Sequence, residues 1–297
     1  MTRWAAGLAE LAPHFDGFVL DQFGVLHDGQ APYPGVVDAL RQLRAHAKRV
    51  LVLSNSGKRA AYNRQRLAGF GITPGLYDDL ISSGELCWQM LARRDRAPWA
   101  ALGRRVLLLD PGQDRPLIDA LALDAVDSVE QADFILLASL ADGMQPAGLQ
   151  ALLDEAAARR LPLVCANPDR QRLTLHGIAP GSGSVAAYYE QMGGMVVWVG
   201  KPYPLIYAAC RERLAGLGAE RICALGDSIE HDLLGGSRAG LATCFVAGGL
   251  HAQDFERAGA ANRAAELQRL LALPAAHGAP APAWALQRLQ WSQPCDS

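Results

Sequence analysis

The stretch FVLDQFGVLHDG, residues 18–29, runs apolar into a carboxylate, Asp21, and then breaks at Gly24. A strand covered on both faces reads as a continuous apolar run rather than an alternation. An acid at the carboxyl end of such a strand stands where open parallel sheets bind their ligands. The same kind of run recurs along the chain as VLVLSN, VLLLD, FILLASL, LPLVCAN, MVVWVG, RICALGD and ATCFVAGG. Helical patterns lie between the runs. In PGVVDALRQLRAHAKR, Pro34 suits a first turn and Val36, Val37, Leu40 and Leu43 share one stripe. GLQALLDEAAARR repeats the arrangement between FILLASL and LPLVCAN. Strand alternating with helix predicts an α/β fold of parallel βαβ units.

The 297 residues are 50% hydrophobic and 20% charged, enough for two domains. Net charge is −2 with dispersed basic residues, which stands against nucleic acid or an anionic membrane as partner. The opening MTRWAAGLAELAPHF breaks any secretory apolar core with an acid and a proline, and no later run is long enough to span a bilayer. A cytoplasmic protein is expected. The six cysteines, Cys87, Cys165, Cys210, Cys223, Cys244 and Cys295, form no C-x-x-C pair and read as buried reduced thiols.

Composition places an inserted domain at residues 97–179, between LARRDRAPWAALGRR and HGIAPGSGS. The flanking segments 1–96 and 180–273 then form the core, and residues 274–297 an Ala/Pro-rich tail in which Trp284 and Trp291 pack back.

Residues that directly follow apolar runs are the candidates for chemistry. They are Asp21, Ser54 with Asn55, Lys201 after VVWVG, and Asp227 with Asp232 one turn further on. Carboxylates suit Mg²⁺, which takes oxygen ligands from one or two acids, water and phosphate. An ammonium and a hydroxyl suit the remaining phosphate oxygens. A carboxylate directed at phosphorus can attack it and divide hydrolysis into two steps.

In order and spacing, DQFGVLHDG, LVLSNSG, GKPYP and GDSIEHDLLGGSRAG resemble the four motifs of the haloacid dehalogenase (HAD) superfamily of hydrolases. The last of these, with LATCFVAGG after it, is similar to the class IIA branch of NagD-like phosphatases. NPDRQ and PGSGSVAAYYEQMGG resemble segments flanking the end of that branch's C2-type cap. The resemblance implies a Rossmann-like parallel-sheet core with an inserted α/β C2-type cap that chooses the substrate. It implies Asp21 as nucleophile, Lys201 assisting it, and Mg²⁺ held by Asp21, the Phe23 carbonyl and Asp227, with Asp232 in support. Ser54, Asn55 and Lys201, together with Asn167 and Asp169 from the cap, are expected to meet a small phosphorylated metabolite such as a sugar phosphate or nucleotide. Dimers occur in the branch, so a homodimer is expected as well.

One position departs from the pattern. Where phosphatases of the family carry a second Asp, the acid that protonates the leaving alcohol, this chain has Phe23. General acid–base catalysis is worth about 10²–10⁴ in rate, so its loss weakens such an enzyme without necessarily silencing it. Another acid substitutes, with His27 and Asp28 nearest in sequence; or the leaving group needs no proton; or the pocket only binds a phosphometabolite. Dehalogenases also lack the second Asp, but they need no Mg²⁺, and the acidic GDSIEHD stretch stands against that alternative. Gly181-Ser-Gly-Ser-Val-Ala186 fits a dinucleotide fingerprint but follows Pro180 and lacks the later acid, so it reads as a hinge and helix start. The aromatic residues at 188 and 189 read as helix-face packing.

Overall fold

In a computed structural model, residues 2–141, 143–174 and 177–292 are described. They form an α/β structure with two mainly parallel sheets and a separate hairpin. The chain divides into two compact units, Met1–Ser54 with Arg64–Ile81 and Lys201–Ser297, and Asn55–Asn63 with Ser82–Gly200.

The first unit is built on a seven-stranded sheet. Its strands are β1 (Arg3–Ala5), β2 (Gly17–Asp21), β3 (Arg49–Ser54), β4 (Asp79–Ser82), β12 (Ile222–Gly226), β13 (Ala242–Val246) and β14 (Trp284–Leu286), in the order β1-β14-β13-β12-β2-β3-β4. Every residue of β2 and of β12 is buried, which is why both read as unbroken apolar runs. β2 lies between β12 and β3 with parallel pairing, Leu20 opposite Leu225 and Asp21 opposite Leu53. This register brings Asp21, Ser54 and Asp227 to the carboxyl ends of three adjacent strands. The helix Val36–Ala45 buries Val36, Ala39, Leu40 and Leu43, while Val37 is half-buried. Its cap is Gly35, so Pro34 precedes the helix rather than entering its first turn.

The second unit holds β5 (Arg105–Leu108), β6 (Asp124–Val126), β7 (Phe134–Leu137), β8 (Leu163–Cys165) and β11 (Val196–Trp198), in the order β11-β8-β7-β5-β6 and all parallel. The helix Gln150–Ala158 crosses from β7 to β8 and buries Leu153 and Ala156, as the repeated pattern predicts. β9 (Gln171–Thr174) and β10 (Gly177–Pro180) form the antiparallel hairpin. The glycine-rich stretch after it starts the helix Ser182–Gln191, with Gly181 as cap. Tyr189 on that helix is fully buried and donates to the Leu161 carbonyl at 2.7 Å; Tyr188 packs beside it.

Two expectations are corrected. VVWVG is not a core strand: β11 pairs with β8 in the five-stranded sheet, and only the residue after it, Lys201, returns to the first unit. A buried apolar run carries no mark of which sheet will pair with it. The tail does pack back through both tryptophans, as expected, and Trp284 does so as part of the sheet. β14 is a parallel strand inserted between β1 and β13, and Trp291 stacks on His46 with ring centroids 4.8 Å apart. The compact division also places the helix Ser83–Arg93 and β11 with the second unit, where the composition boundaries at 97 and 179 had assigned them to the core.

Cys87, Cys165, Cys210, Cys223 and Cys244 are free and buried, and burial pushes the Cys165 and Cys210 thiols up to about 12. Cys295 lies outside the described residues. Among the described residues no helix is long and apolar enough to cross a membrane.

Because Phe18 is fully buried in the central strand, pairing in register with Val50 and Cys223, Phe18→Ala is expected to destabilise the first unit by about 3–5 kcal/mol. The check is a fall in urea midpoint at unchanged slope.

Candidate active site

Asp21 ends β2, Asp227 directly follows β12, and Asp232 sits in the π-helical turn Ile229–Leu233 that comes next. All three carboxylates are buried, with one oxygen of each lying within 4.8 Å of the others. The Lys201 ammonium stands between two of them, donating to Asp21 Oδ1 at 2.5 Å and to Asp232 Oδ1 at 2.7 Å. Three acids against one ammonium leave this group negative overall if all are ionised, which is costly out of water.

The titration of each group follows from that imbalance. Burial drives the Asp21 carboxyl well above its usual range, against the pull of Lys201. Burial pushes Asp227 up to about 7; the Asp232 charge adds to this and the Leu250 N–H opposes it. Burial on its own would lower Lys201, but the Asp21 and Asp232 charges override it and hold the ammonium well above its ordinary value.

Local structure fixes each donor. Ser228 caps the π turn by accepting the His231 N–H at 3.1 Å, and its own N–H donates to Asp232 Oδ2 at 3.1 Å. Both Asp232 oxygens are thereby engaged. The Tyr207 hydroxyl, fully buried on the helix Pro204–Arg213, donates to the His231 and Asp232 carbonyls at 3.1 and 3.3 Å. Asp227 Oδ2 accepts the Leu250 N–H at 2.7 Å. Gly24, at φ 85°, and Gly249 crowd the same carboxylate so closely that a side chain at either would overlap it.

Asp21 Oδ2 accepts no hydrogen bond from the described residues, and the Asp227 carboxylate accepts only its own N–H besides that of Leu250. Hard, buried carboxylate oxygens that have few donors and carry excess negative charge match what a divalent cation with oxygen ligands requires. The residues present therefore fit Mg²⁺.

The loop that carries Phe23 is held from within. His27 Nδ1 accepts the Gly29 N–H at 2.9 Å, which places the ring proton on Nε2. Nε2 lies 3.1 Å from the Gln22 side-chain nitrogen, while Gln22 Oε1 is buried without a partner. Turning the Gln22 amide over lets Oε1 accept the Nε2–H and satisfies both groups. Phe23 and Phe70 pack against the His27 ring at 5.8 and 4.9 Å between centroids. Burial, helped by the Arg66 charge, pulls the His27 pKa down to about 4.

His27 is thus a neutral core residue and not a surface acid, which corrects its candidacy as a substitute. Asp28 is corrected too: its Oδ1 accepts the Gln30 and Ala31 N–H groups at 2.8 Å each, and those bonds keep its carboxyl ionised.

Ser54 is buried at the end of β3 beside Asp21's strand. Asn55, Asn167 and Asp169 come together in the second unit. Asn55 Nδ2 donates to Asp169 Oδ1 at 2.8 Å, and the Asp169 N–H donates to Asn167 Oδ1 at 3.1 Å. Sequence reasoning missed Tyr207, whose only signal is a hydroxyl on an otherwise apolar helix face. It also missed the Gly249–Leu250 backbone, which shows no side-chain signal at all.

Comparison with known proteins follows the same lines. Residues 18–121 match the family model described as haloacid dehalogenase-like hydrolase, and residues 198–271 match a second, HAD-hydrolase-like model. The chain is 29% identical over 262 residues to chronophin of Rattus norvegicus, covering 85% of this chain and 83% of that one. A haloacid dehalogenase-like hydrolase from Brucella suis superimposes with a TM-score of 0.79 at 24% identity, over 96% of this chain and 99% of that one. A glycerol phosphate phosphatase from Mycobacterium tuberculosis in complex with magnesium gives a TM-score of 0.64 at 26% identity, over 81% and 70%.

Since His27 is neutral in the fold down to about pH 4 and the unfolded chain takes up its proton near 6.5, the unfolded state binds more protons between these values. Stability should therefore fall as pH drops from 6.5 towards 4. Urea titrations across that window are expected to show the slope, and His27→Gln to flatten it.

Proposed function

Given that this chain belongs to the haloacid dehalogenase-like hydrolases, we propose that it is a Mg²⁺-dependent phosphatase of a small phosphorylated metabolite, working through an aspartyl-phosphate at Asp21. The observation that carries the reading is Asp21 at the end of β2, with Oδ1 held by Lys201 and Oδ2 left without a donor among the described residues, beside Asp227. Its likeness to a glycerol phosphate phosphatase crystallised with magnesium supports both the substrate class and the metal.

In this reading one Asp21 oxygen attacks phosphorus and the other stays available to the metal, while Lys201, bonded to the same carboxylate, fixes it and places its charge beside the phosphoryl oxygens. The Ser54 hydroxyl donates to a further phosphoryl oxygen. Asp21, Asp227 and the Phe23 carbonyl would hold Mg²⁺, which supplies positive charge so that an anionic nucleophile can approach an anionic phosphoryl group. Asp232, with both oxygens engaged, keeps Lys201 in place. Asn55, Asn167 and Asp169 are proposed to meet the rest of the substrate. The compartment is proposed to be the cytoplasm.

Phe23 supports a second reading, a phosphometabolite-binding protein that has lost hydrolysis. Phosphate release from nucleotides, sugar phosphates, acetyl phosphate and 4-nitrophenyl phosphate separates the two. Turnover that needs Mg²⁺, stops in EDTA and falls by about 10³ or more in Asp21→Asn is the expected result. Equal turnover by Asp21→Asn would overturn the nucleophile. Tight Mg²⁺-dependent binding without turnover would favour the binding protein. Lys201→Met is expected to lower kcat by at least about 10² and to weaken Mg²⁺ binding far less, read by calorimetry.

A further inference from the structure

Hydrolysis of a phosphate ester needs an acid for the leaving oxygen and a base for the attacking water, and the groups around Phe23 supply neither. Phe23 is 48% exposed and has no ionisable atom. His27 behind it has both nitrogens committed, Nδ1 to the Gly29 N–H and Nε2 to Gln22. The Asp28 carboxylate is committed to its own turn. Burial and the Asp227 charge hold the Tyr33 phenol above its ordinary value, where it is a poor match for acid catalysis near neutral pH.

What replaces the acid is apolar surface. A Cβ on Gly249 would stand 2.5 Å from the Gly24 carbonyl oxygen, so the Phe23–Gly24 and Gly249–Leu250 backbones meet at the Asp227 carboxylate. The side chains next to that junction are Phe23 and Leu250, the latter 68% exposed. They are two of the five large hydrophobic residues exposed among those described; Phe23 follows Asp21 by two residues, and the Leu250 N–H donates to Asp227.

Resting on the aspartyl-phosphate reading, we propose that the site takes apolar phosphoryl donors whose leaving group departs as a stabilised anion, aryl or acyl phosphates, and that its phosphoenzyme accumulates. In the first step an Asp21 oxygen forms a bond to phosphorus. The bond from phosphorus to the leaving oxygen breaks, and its electron pair leaves on a phenolate or carboxylate, so no proton is required. In the second step water attacks phosphorus and the bond to Asp21 breaks with its electrons returning to the carboxylate. One water proton stays on hydrogenphosphate and the other goes to solvent. With no base at position 23, this second step is the slow one.

The test uses wild type and Phe23→Asp with Mg²⁺ on 4-nitrophenyl, phenyl and benzyl phosphate, which share a ring and differ in leaving-group acidity. In wild type, kcat/KM is expected to fall by about 10² or more from the first to the last. Nitrophenolate should appear in a burst matched by a phosphoryl adduct on the intact protein. Phe23→Asp should regain benzyl phosphate turnover and lose the burst. Benzyl phosphate turned over by wild type as fast as 4-nitrophenyl phosphate, or steady release with neither burst nor adduct, would overturn the inference and leave the phosphatase standing; the wild-type series decides this even if Phe23→Asp does not fold. No nitrophenolate and no adduct from either protein would overturn the phosphatase reading with it.

Discussion

The Lys201 ammonium, buried between Asp21 and Asp232 at 2.5 and 2.7 Å, is the contact on which the rest of the site depends. Three acids gathered within 4.8 Å in a buried place would repel one another and protonate without it. Removing one partner from such a network strands charge out of water, so its geometry is tightly determined. Lys201 anchors the end of β2, the π turn after β12 and the return of the chain from the second unit at one point.

Much of the surrounding architecture serves to keep that point in register. The parallel pairing of β12, β2 and β3 sets the heights of Asp227, Asp21 and Ser54. Ser228 and Tyr207 hold the wide turn that carries Asp232, and the Leu250 N–H holds Asp227. The electrostatic imbalance left over is what a divalent cation would relieve. The same fold can thus be stable and still present carboxylate oxygens that have few donors.

The position two residues after Asp21 shows how a site can retain its electrostatics and lose its proton chemistry. In the proposed reading, metal binding there would use a backbone carbonyl, which any side chain leaves intact, whereas acid–base catalysis needs the side chain itself. Phe23 packs on a neutral, hydrogen-bonded His27 and turns the edge of the site apolar. What remains fits the proposed preference for phosphoryl groups that leave without assistance.

By itself the sequence determined the α/β class, the βαβ crossover of the middle segment, and Asp21, Ser54, Lys201, Asp227 and Asp232 as one set. These are legible because an apolar run ending in a polar residue is a local pattern, and parallel sheets place such ends on one edge. Only the tertiary structure decided that VVWVG joins the five-stranded sheet, that Trp284 begins an inner strand of the core, that His27 is buried and neutral, that the Tyr207 hydroxyl holds the backbone of the turn carrying Asp232, and that the Leu250 N–H holds the Asp227 carboxylate. Each of these depends on which distant backbone supplies a hydrogen-bond partner or removes water. No spacing along the chain encodes that choice, because it is settled by packing between segments far apart in sequence.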